Sequence, residues 1–266
     1  MRTVRQLIDM SGRRALITGA AGGLGRAMAD SLAELGADLL LVDLDGAATP
    51  QLAEDLAVRH GIKATPLACD LEDAAQRVAL AEKVLVGGGL SVLVNNAAFV
   101  GSSDLSGWAE PFEGQTVETW RRALEVNLTA AFHLSQLLIP ALRAGPGGSV
   151  VNIASIYGEW GPDWSLYEGT AMANPAAYGT SKGGLIQFTR WLATTVAPEV
   201  RVNAISPGGV ARGQPDSFVE RYTARTPLGR MAVEDDFRGA IAYLASDMSA
   251  YVTGQVLAID GGWGAW

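Results

Sequence analysis

The chain has 266 residues, 48% hydrophobic and 18% charged, with 28 acidic against 20 basic side chains and a formal net charge of −8. That composition supplies a large buried core, and the acidic balance argues against a general nucleic-acid binder, whose phosphate contacts need clustered Lys and Arg. One cysteine, Cys69, rules out an internal disulfide framework and suits a reducing compartment. The amino terminus has no continuous apolar h-region and no apolar run reaches spanning length, so the expectation is a cytoplasmic protein without a membrane segment.

Short β-rich runs alternate with longer helical patterns along the chain. ALIT at 15–18 runs into TGAAGGLG at 18–25 and then a helix with apolar positions Leu24, Met28, Leu32 and Leu35. A glycine-rich turn between a strand and a helix lets backbone approach a pyrophosphate, and the helix amino terminus favours the negative charge. Gly19, Gly22, Gly23, Leu24 and Gly25 are therefore candidate cofactor contacts. DLLLVD at 38–43 is the second strand, and its last residue, Asp43, stands 18 residues beyond Gly25. A carboxylate there accepts ribose hydroxyls and repels a 2′-phosphate, so NAD(H) is expected rather than NADP(H). KATPLA at 63–68, SVLVNN at 91–96, SVVNIAS at 149–155, VRVNAIS at 200–206 and VLAID at 256–260 complete the strand candidates. Nearly all-apolar strands alternating with helices predict an α/β fold: one doubly wound parallel sheet covered on both faces, forming a single domain over 1–266. Ligands are expected at the carboxyl ends of its strands.

In YGTSK, Tyr178 and Lys182 stand at i and i+4 on a helix beginning near Pro175. A cation one turn away favours the phenolate, bringing a phenol that normally titrates near pH 10 towards use as an acid or base. Tyr157 and Tyr167 have no such partner.

Asp70-Leu71, Asn95-Asn96-Ala97-Ala98, Asn127, Ser155, Ser206-Pro207-Gly208 and Asp260-Gly261-Gly262-Trp263 flank that pair in chain order. Together with the glycine loop they resemble the short-chain dehydrogenase/reductase family, over essentially the whole chain. The resemblance implies a seven-stranded Rossmann fold, hydride exchange between a nicotinamide and a secondary alcohol or ketone, and a homo-oligomer, either tetramer or dimer. It implies a catalytic set of Asn127, Ser155, Tyr178 and Lys182, with Asn127 holding a water that links Lys182 to solvent. It also places Leu44, Asp70, Leu71, Asn96, Ala97, Ala98, Pro207, Gly208 and Val210 at the cofactor, along with Tyr178 and Lys182. Two departures stand out: Ala98 where the family usually has glycine, and Arg212 where many members have a threonine at the nicotinamide carboxamide.

Ser155 and Tyr178 lie 23 residues apart, more than in most members, so GEWGPDWSLYEGTAMA reads as an insertion at the rim of the site. Ser155, Tyr157, Trp160, Trp164, Tyr167 and Tyr178 are the candidate substrate contacts, and Glu159, Asp163 and Glu168 could accept hydroxyl or amine hydrogens. The expectation is a polyol, sugar or amino-sugar substrate; the other reading of the segment is a subunit-contact loop or lid. A narrower resemblance, carried by YEGTAMANPAAYGTSKGG, SPGGVARGQ and DGGWGAW, is to members of bacterial surface-sugar and flagellin-glycosylation pathways. The 3-oxoacyl-acyl-carrier-protein reductases share much of it and supply the alternative substrate class. A non-catalytic NAD-binding regulator is the alternative of another kind. His60 and His133 form no metal motif, and no metal is expected.

Overall fold

Seven runs rich in Val, Ile, Leu and Ala form the strands of one parallel sheet. In the computed structural model, which describes residues 1–99 and 105–266, these are β1 (Arg14–Thr18), β2 (Asp38–Asp43), β3 (Ala64–Ala68), β4 (Val92–Asn95), β5 (Ser149–Ile153), β6 (Arg201–Pro207) and β7 (Val256–Ile259). Their order is β3-β2-β1-β4-β5-β6-β7. The expected doubly wound architecture is therefore present. The chain leaves β1 towards one edge and returns at β4 towards the other, which opens a crevice beyond their carboxyl ends.

Alternation along each strand feeds two cores. Ala15 and Ile17 of β1 join Met28 and Leu32 of α2 (Gly23–Glu34) and Ile241 and Leu244 of α9 (Arg238–Ala245) on one face. Leu16 points the other way, towards Leu80 of α4 (Ala74–Val86), Leu134 and Leu138 of α6 (Ala130–Ala144) and Leu192 of α7 (Ala176–Val196). All three β1 side chains have 0% exposure, so trimming Leu16 or Ile17 to alanine costs about 2–5 kcal/mol. The remaining helices are α1 (Val4–Ile8), α3 (Thr49–His60), α5 (Val117–Leu124) and α8 (Asp216–Arg225).

Local chemistry sets the helix ends. The Asp73 carboxylate accepts from the Ala75 and Gln76 N–H groups at the start of α4, and Gly61 closes α3 with φ +69°. Such caps are each worth about 1 kcal/mol. Among the described residues, no helix is long and apolar enough to cross a membrane.

Candidate active site

Backbone and short polar side chains build the crevice at β1 and β4. Thr18 Oγ1, at the end of β1, accepts from the Asn96 and Ala97 N–H groups, both at 3.0 Å. Asn96 Nδ2 donates back to the Thr18 and Gly19 carbonyls at 2.9 and 3.0 Å. Gly19 has φ +62°, and a β-carbon there would stand 2.8 Å from the Ala97 Cα, so both torsion and space demand glycine. Gly22 caps α2 without any side-chain hydrogen bond, leaving the first N–H groups of the helix free for an anion. Asp43 Oδ2 accepts from Ala21 N–H at 2.8 Å and Oδ1 from Leu44 N–H at 2.9 Å, which aims the carboxylate along the glycine loop. A bare loop, an open helix terminus and a fixed carboxylate together fit the phosphates and ribose of a dinucleotide.

A buried polar chain carries the placement across the sheet. Asn95 Nδ2 donates to Asn152 Oδ1 at 2.8 Å, and Asn152 Nδ2 donates to Thr189 Oγ1 at 2.9 Å on α7. Paired amides in a dry interior hold one arrangement, because each of these bonds is lost if its partner slides. This chain locks α7, and with it Tyr178 and Lys182, to the strand ends. Ser155 lies just past β5, with 5% exposure, and its Oγ accepts from Tyr157 N–H. Gly158 abuts α7: a β-carbon there would stand 2.7 Å from the Lys182 carbonyl carbon.

Ser155, Tyr178 and Lys182 line one cavity of about 840 Å³ together with the glycine loop. Lys182 Nζ, with the side chain 2% exposed, donates to the Ile153 carbonyl at 2.7 Å. Burial brings its ammonium down to about 8. The phenol of Tyr178 behaves differently from the sequence expectation. Burial pushes it above its ordinary value, the Ser155 hydroxyl and the charge of Arg212 pull the other way, and Nζ of Lys182 stands 5.9 Å from the ring centre. The lysine is turned to a carbonyl and is itself desolvated, so burial dominates the phenol.

Asn127 sits behind this wall rather than on it. It is 1% exposed, in a π turn at Glu125–Thr129 between α5 and α6. Its Nδ2 donates to Ser181 Oγ at 2.9 Å and its Oδ1 accepts from Phe99 N–H at 2.6 Å. Such π turns recur where a helix is opened for function.

The other expected cofactor contacts divide. Gly22, Gly23, Leu24, Gly25, Asp43, Asn96, Ala97, Ala98, Pro207, Gly208 and Val210 line the cavity with Gly19. Leu44, Asp70 and Leu71 do not line it. Leu44 is 56% exposed, the Asp70 carboxylate accepts from Glu72 N–H, and Leu71 is buried in the core. All three lie at the outer ends of β2 and β3, past the cavity's edge.

The insertion also divides, and here the acidic rim is corrected. Asp163 is ion-paired with Arg225 of α8 and accepts from Ser165, and Arg221 donates to the Leu166 and Glu168 carbonyls. Glu159 and Glu168 are exposed and line neither cavity. Among the described residues of the large cavity, Asp43 is the one carboxylate. Trp160 and Trp164 line a second cavity of about 700 Å³ instead. Tyr157 and Tyr167 line both, their hydroxyls 2.7 Å apart, with Asn174 Nδ2 at 3.4 Å from the Tyr167 oxygen. Sequence reasoning missed Trp108, Asn174, Gln214, Phe218, Tyr222 and Met231, which also line the cavity; Trp108 packs with Tyr178, and Phe218, Tyr222 and Met231 form a separate cluster. The run NPAA at 174–177, a helix start, could have flagged Asn174, directly before Pro175; the others carry no local signature.

The histidines and the cysteine have structural surroundings. His60 Nε2 lies 2.9 Å from Asp30, and Arg77 Nε donates to His133 Nδ1 at 3.1 Å. Burial pushes the Cys69 thiol up to about 11, which removes it as a nucleophile at neutral pH.

Known proteins resemble this chain in sequence and fold. The family model described as enoyl-(acyl carrier protein) reductase matches residues 19–264. The probable galactose dehydrogenase GalD of Rhizobium meliloti is 35% identical, with 97% of each chain covered. The 3-oxoacyl-[acyl-carrier-protein] reductase FabG of Thermotoga maritima is 33% identical over 95% of this chain and 98% of its own. Among solved structures, a putative NAD(P)-dependent gluconate 5-dehydrogenase from Beutenbergia cavernae with bound NADP superposes with a TM-score of 0.86. It is 35% identical, with 98% of this chain and 100% of that chain covered. With the family motifs held at the ends of a seven-stranded parallel sheet, this chain belongs to the short-chain dehydrogenase/reductase family of oxidoreductases, enzymes that act on CH–OH groups with nicotinamide cofactors.

Proposed function

We propose that the chain, working as one unit over 1–266, uses NAD(H) to interconvert a secondary alcohol and its ketone on a neutral, hydroxylated substrate such as a polyol or sugar. The convergence of Ser155, Tyr178 and Lys182 on the cavity that also holds the glycine loop and Asp43 carries this reading. A bound nicotinamide supplies the hydride acceptor or donor. Ser155 donates a hydrogen bond to the reacting oxygen and steadies the charge that develops there. Tyr178 passes the proton to or from the same oxygen; burial keeps its phenol protonated at neutral pH, the state that reduction of a ketone requires. Lys182 holds positive charge on the same wall, and Asn127 keeps the opened helix behind it in place for a water path to solvent.

Asp43 supports NAD(H): a 2′-phosphate would set negative charge against a carboxylate already fixed by two N–H groups. The Tyr157–Tyr167 hydroxyl pair and the Asn174 amide support a hydroxylated substrate on a largely aromatic wall. With Asp163 paired to Arg225 and Glu159 and Glu168 outside the cavity, nothing in the cavity favours an amine over a hydroxyl. The probable galactose dehydrogenase relative points the same way. The likeness to FabG supports a second reading, a 3-oxoacyl thioester reductase.

One panel separates the readings: sugars, polyols and 3-oxoacyl thioesters, each with NADH or NAD⁺ and with NADPH or NADP⁺, on the native enzyme. Turnover of polyols or sugars with NAD(H) is the expected result. Turnover of thioesters with NADPH alone replaces it with the second reading. Cofactor binding without turnover of any substrate makes the protein a dinucleotide-binding regulator. The same reading includes a homo-oligomer, because α6 and α7 leave Phe132 and Trp191 42% and 56% exposed. Light scattering that finds monomer alone counts against it. A cytoplasmic location also belongs to the proposal and is read by cell fractionation.

A further inference from the structure

Arg212 and Glu234 form an ion pair directly over the first residue of α2. Arg212 Nη2 lies 3.2 Å from Glu234 Oε1. A β-carbon on Gly23 would stand 2.7 Å from that nitrogen and 2.6 Å from that oxygen. The pair therefore occupies the space above the helix terminus, where the glycine loop offers N–H groups to an anion. Glu234 is the negative group standing there now.

The two partners are anchored differently. Glu234 opens the 3₁₀ turn Glu234–Phe237, whose neighbour Asp236 accepts from Val233 N–H and from Arg230 through both oxygens. Arg212 reaches in from a loop tied down only at its backbone. Its N–H donates to Gln214 Oε1 at 2.7 Å, and Ala211 N–H donates to the Ala232 carbonyl at 2.9 Å. Its guanidinium is 49% exposed against 36% for Glu234. A pair that exposed contributes little and is readily exchanged for a stronger partner. A phosphate is that partner, since a guanidinium binds phosphate oxygens through two parallel donors.

We propose that Arg212 is a binding residue for the dinucleotide pyrophosphate, and that Glu234 is the resting counter-ion the pyrophosphate displaces. The inference rests on the dinucleotide reading of this cleft. It gives Arg212 a place at the phosphates rather than at the carboxamide end. Two variants move in opposite directions under this exchange. Arg212→Met removes the phosphate partner; Glu234→Gln removes the competitor and leaves the arginine free.

Calorimetric titration with ADP-ribose, NADH and adenosine reads both, with circular dichroism confirming the fold and Arg212→Gln as a second variant should Met fail to fold. Loss of Arg212 is expected to weaken ADP-ribose and NADH about tenfold, the worth of one charge-assisted contact, and to leave adenosine unchanged. Glu234→Gln is expected to tighten ADP-ribose about threefold, an electrostatic gain that shrinks as salt rises. If both variants weaken ADP-ribose alike, or neither changes it, the pair is a structural clasp and the proposal is overturned. Failure of the native protein to bind ADP-ribose or NADH overturns the dinucleotide reading itself.

Discussion

The two walls of the cleft are made of different material. The wall at β1 and β4 is backbone and short polar side chains: Gly19, Thr18 and Asn96 bind one another through main-chain groups, and Asp43 is held by two N–H groups. The opposite wall is aromatic. Tyr157, Tyr167, Phe218, Tyr222 and Trp263 form one cluster, with Phe218 and Tyr222 stacked at 5.9 Å and Tyr222 on Trp263 at 6.1 Å. A ligand common to many enzymes is met by groups every residue carries, whereas a ligand peculiar to one is met by side chains that can be exchanged singly. Under the proposed reading, the first wall holds the cofactor and the second meets the substrate.

Substitutions can break that division. Tyr178→Phe is expected to lower turnover by about 10²–10⁴-fold, the range of one lost acid–base group, with NADH affinity unchanged by fluorescence titration. Unchanged turnover would remove Tyr178 from the reaction. Gly19→Ala strikes the backbone wall where φ is +62°; about 1–3 kcal/mol of stability should be lost in urea unfolding, and dinucleotide affinity with it. Asp43→Ala should weaken NADH about tenfold in equilibrium titration while NADPH changes far less. Equal losses would return Asp43 to a purely structural part in holding the glycine loop.

The aromatic wall gives a smaller signal. Tyr157→Phe leaves Tyr167 without its 2.7 Å partner, and KM for a hydroxylated substrate should rise about threefold to tenfold while cofactor constants stay fixed. A change confined to the cofactor constants would mean that the walls are not separate. The smallest effect is the pH slope from Lys182. Its folded value of about 8 lies below the ordinary value of about 10.4, so between them the unfolded chain binds more protons and stability rises with pH. The opposing rise in the Tyr157 and Tyr178 phenols limits this window to roughly pH 8–10. Thermal midpoints across that range should climb in the native chain and lose that component in Lys182→Met.

The backbone wall was legible in sequence because its parts are local. Thr18 to Gly25 is one turn, Asp43 ends the next strand, and Tyr178 and Lys182 are four residues apart. All seven strands follow from apolar runs bounded by turns. The aromatic wall was legible only in part: Tyr157 and Tyr167 stood out in the insertion, but Phe218, Tyr222 and the pairing did not, because these contacts join distant segments. Asp163 meets Arg225 across 62 residues, and Arg225 then lies 4.2 Å above the Trp263 ring. Composition showed acids in the insertion but not that Arg225 of α8 would claim Asp163. The π turn holding Asn127 leaves no periodic trace either, since one extra residue in a helical turn looks the same as a slightly irregular apolar stripe.

Gly158 against the Lys182 backbone and Pro175 at the start of α7 have a consequence for engineering. They clamp both ends of the segment between Ser155 and Tyr178, so its length can change while the reacting groups keep their places. Lengthening a clamped surface loop costs little, about 0.6 kcal/mol for each doubling. Under the proposed reading, grafting the segment between relatives together with its α8 partners Arg221 and Arg225 should transfer substrate preference and leave the proton-transfer groups in register.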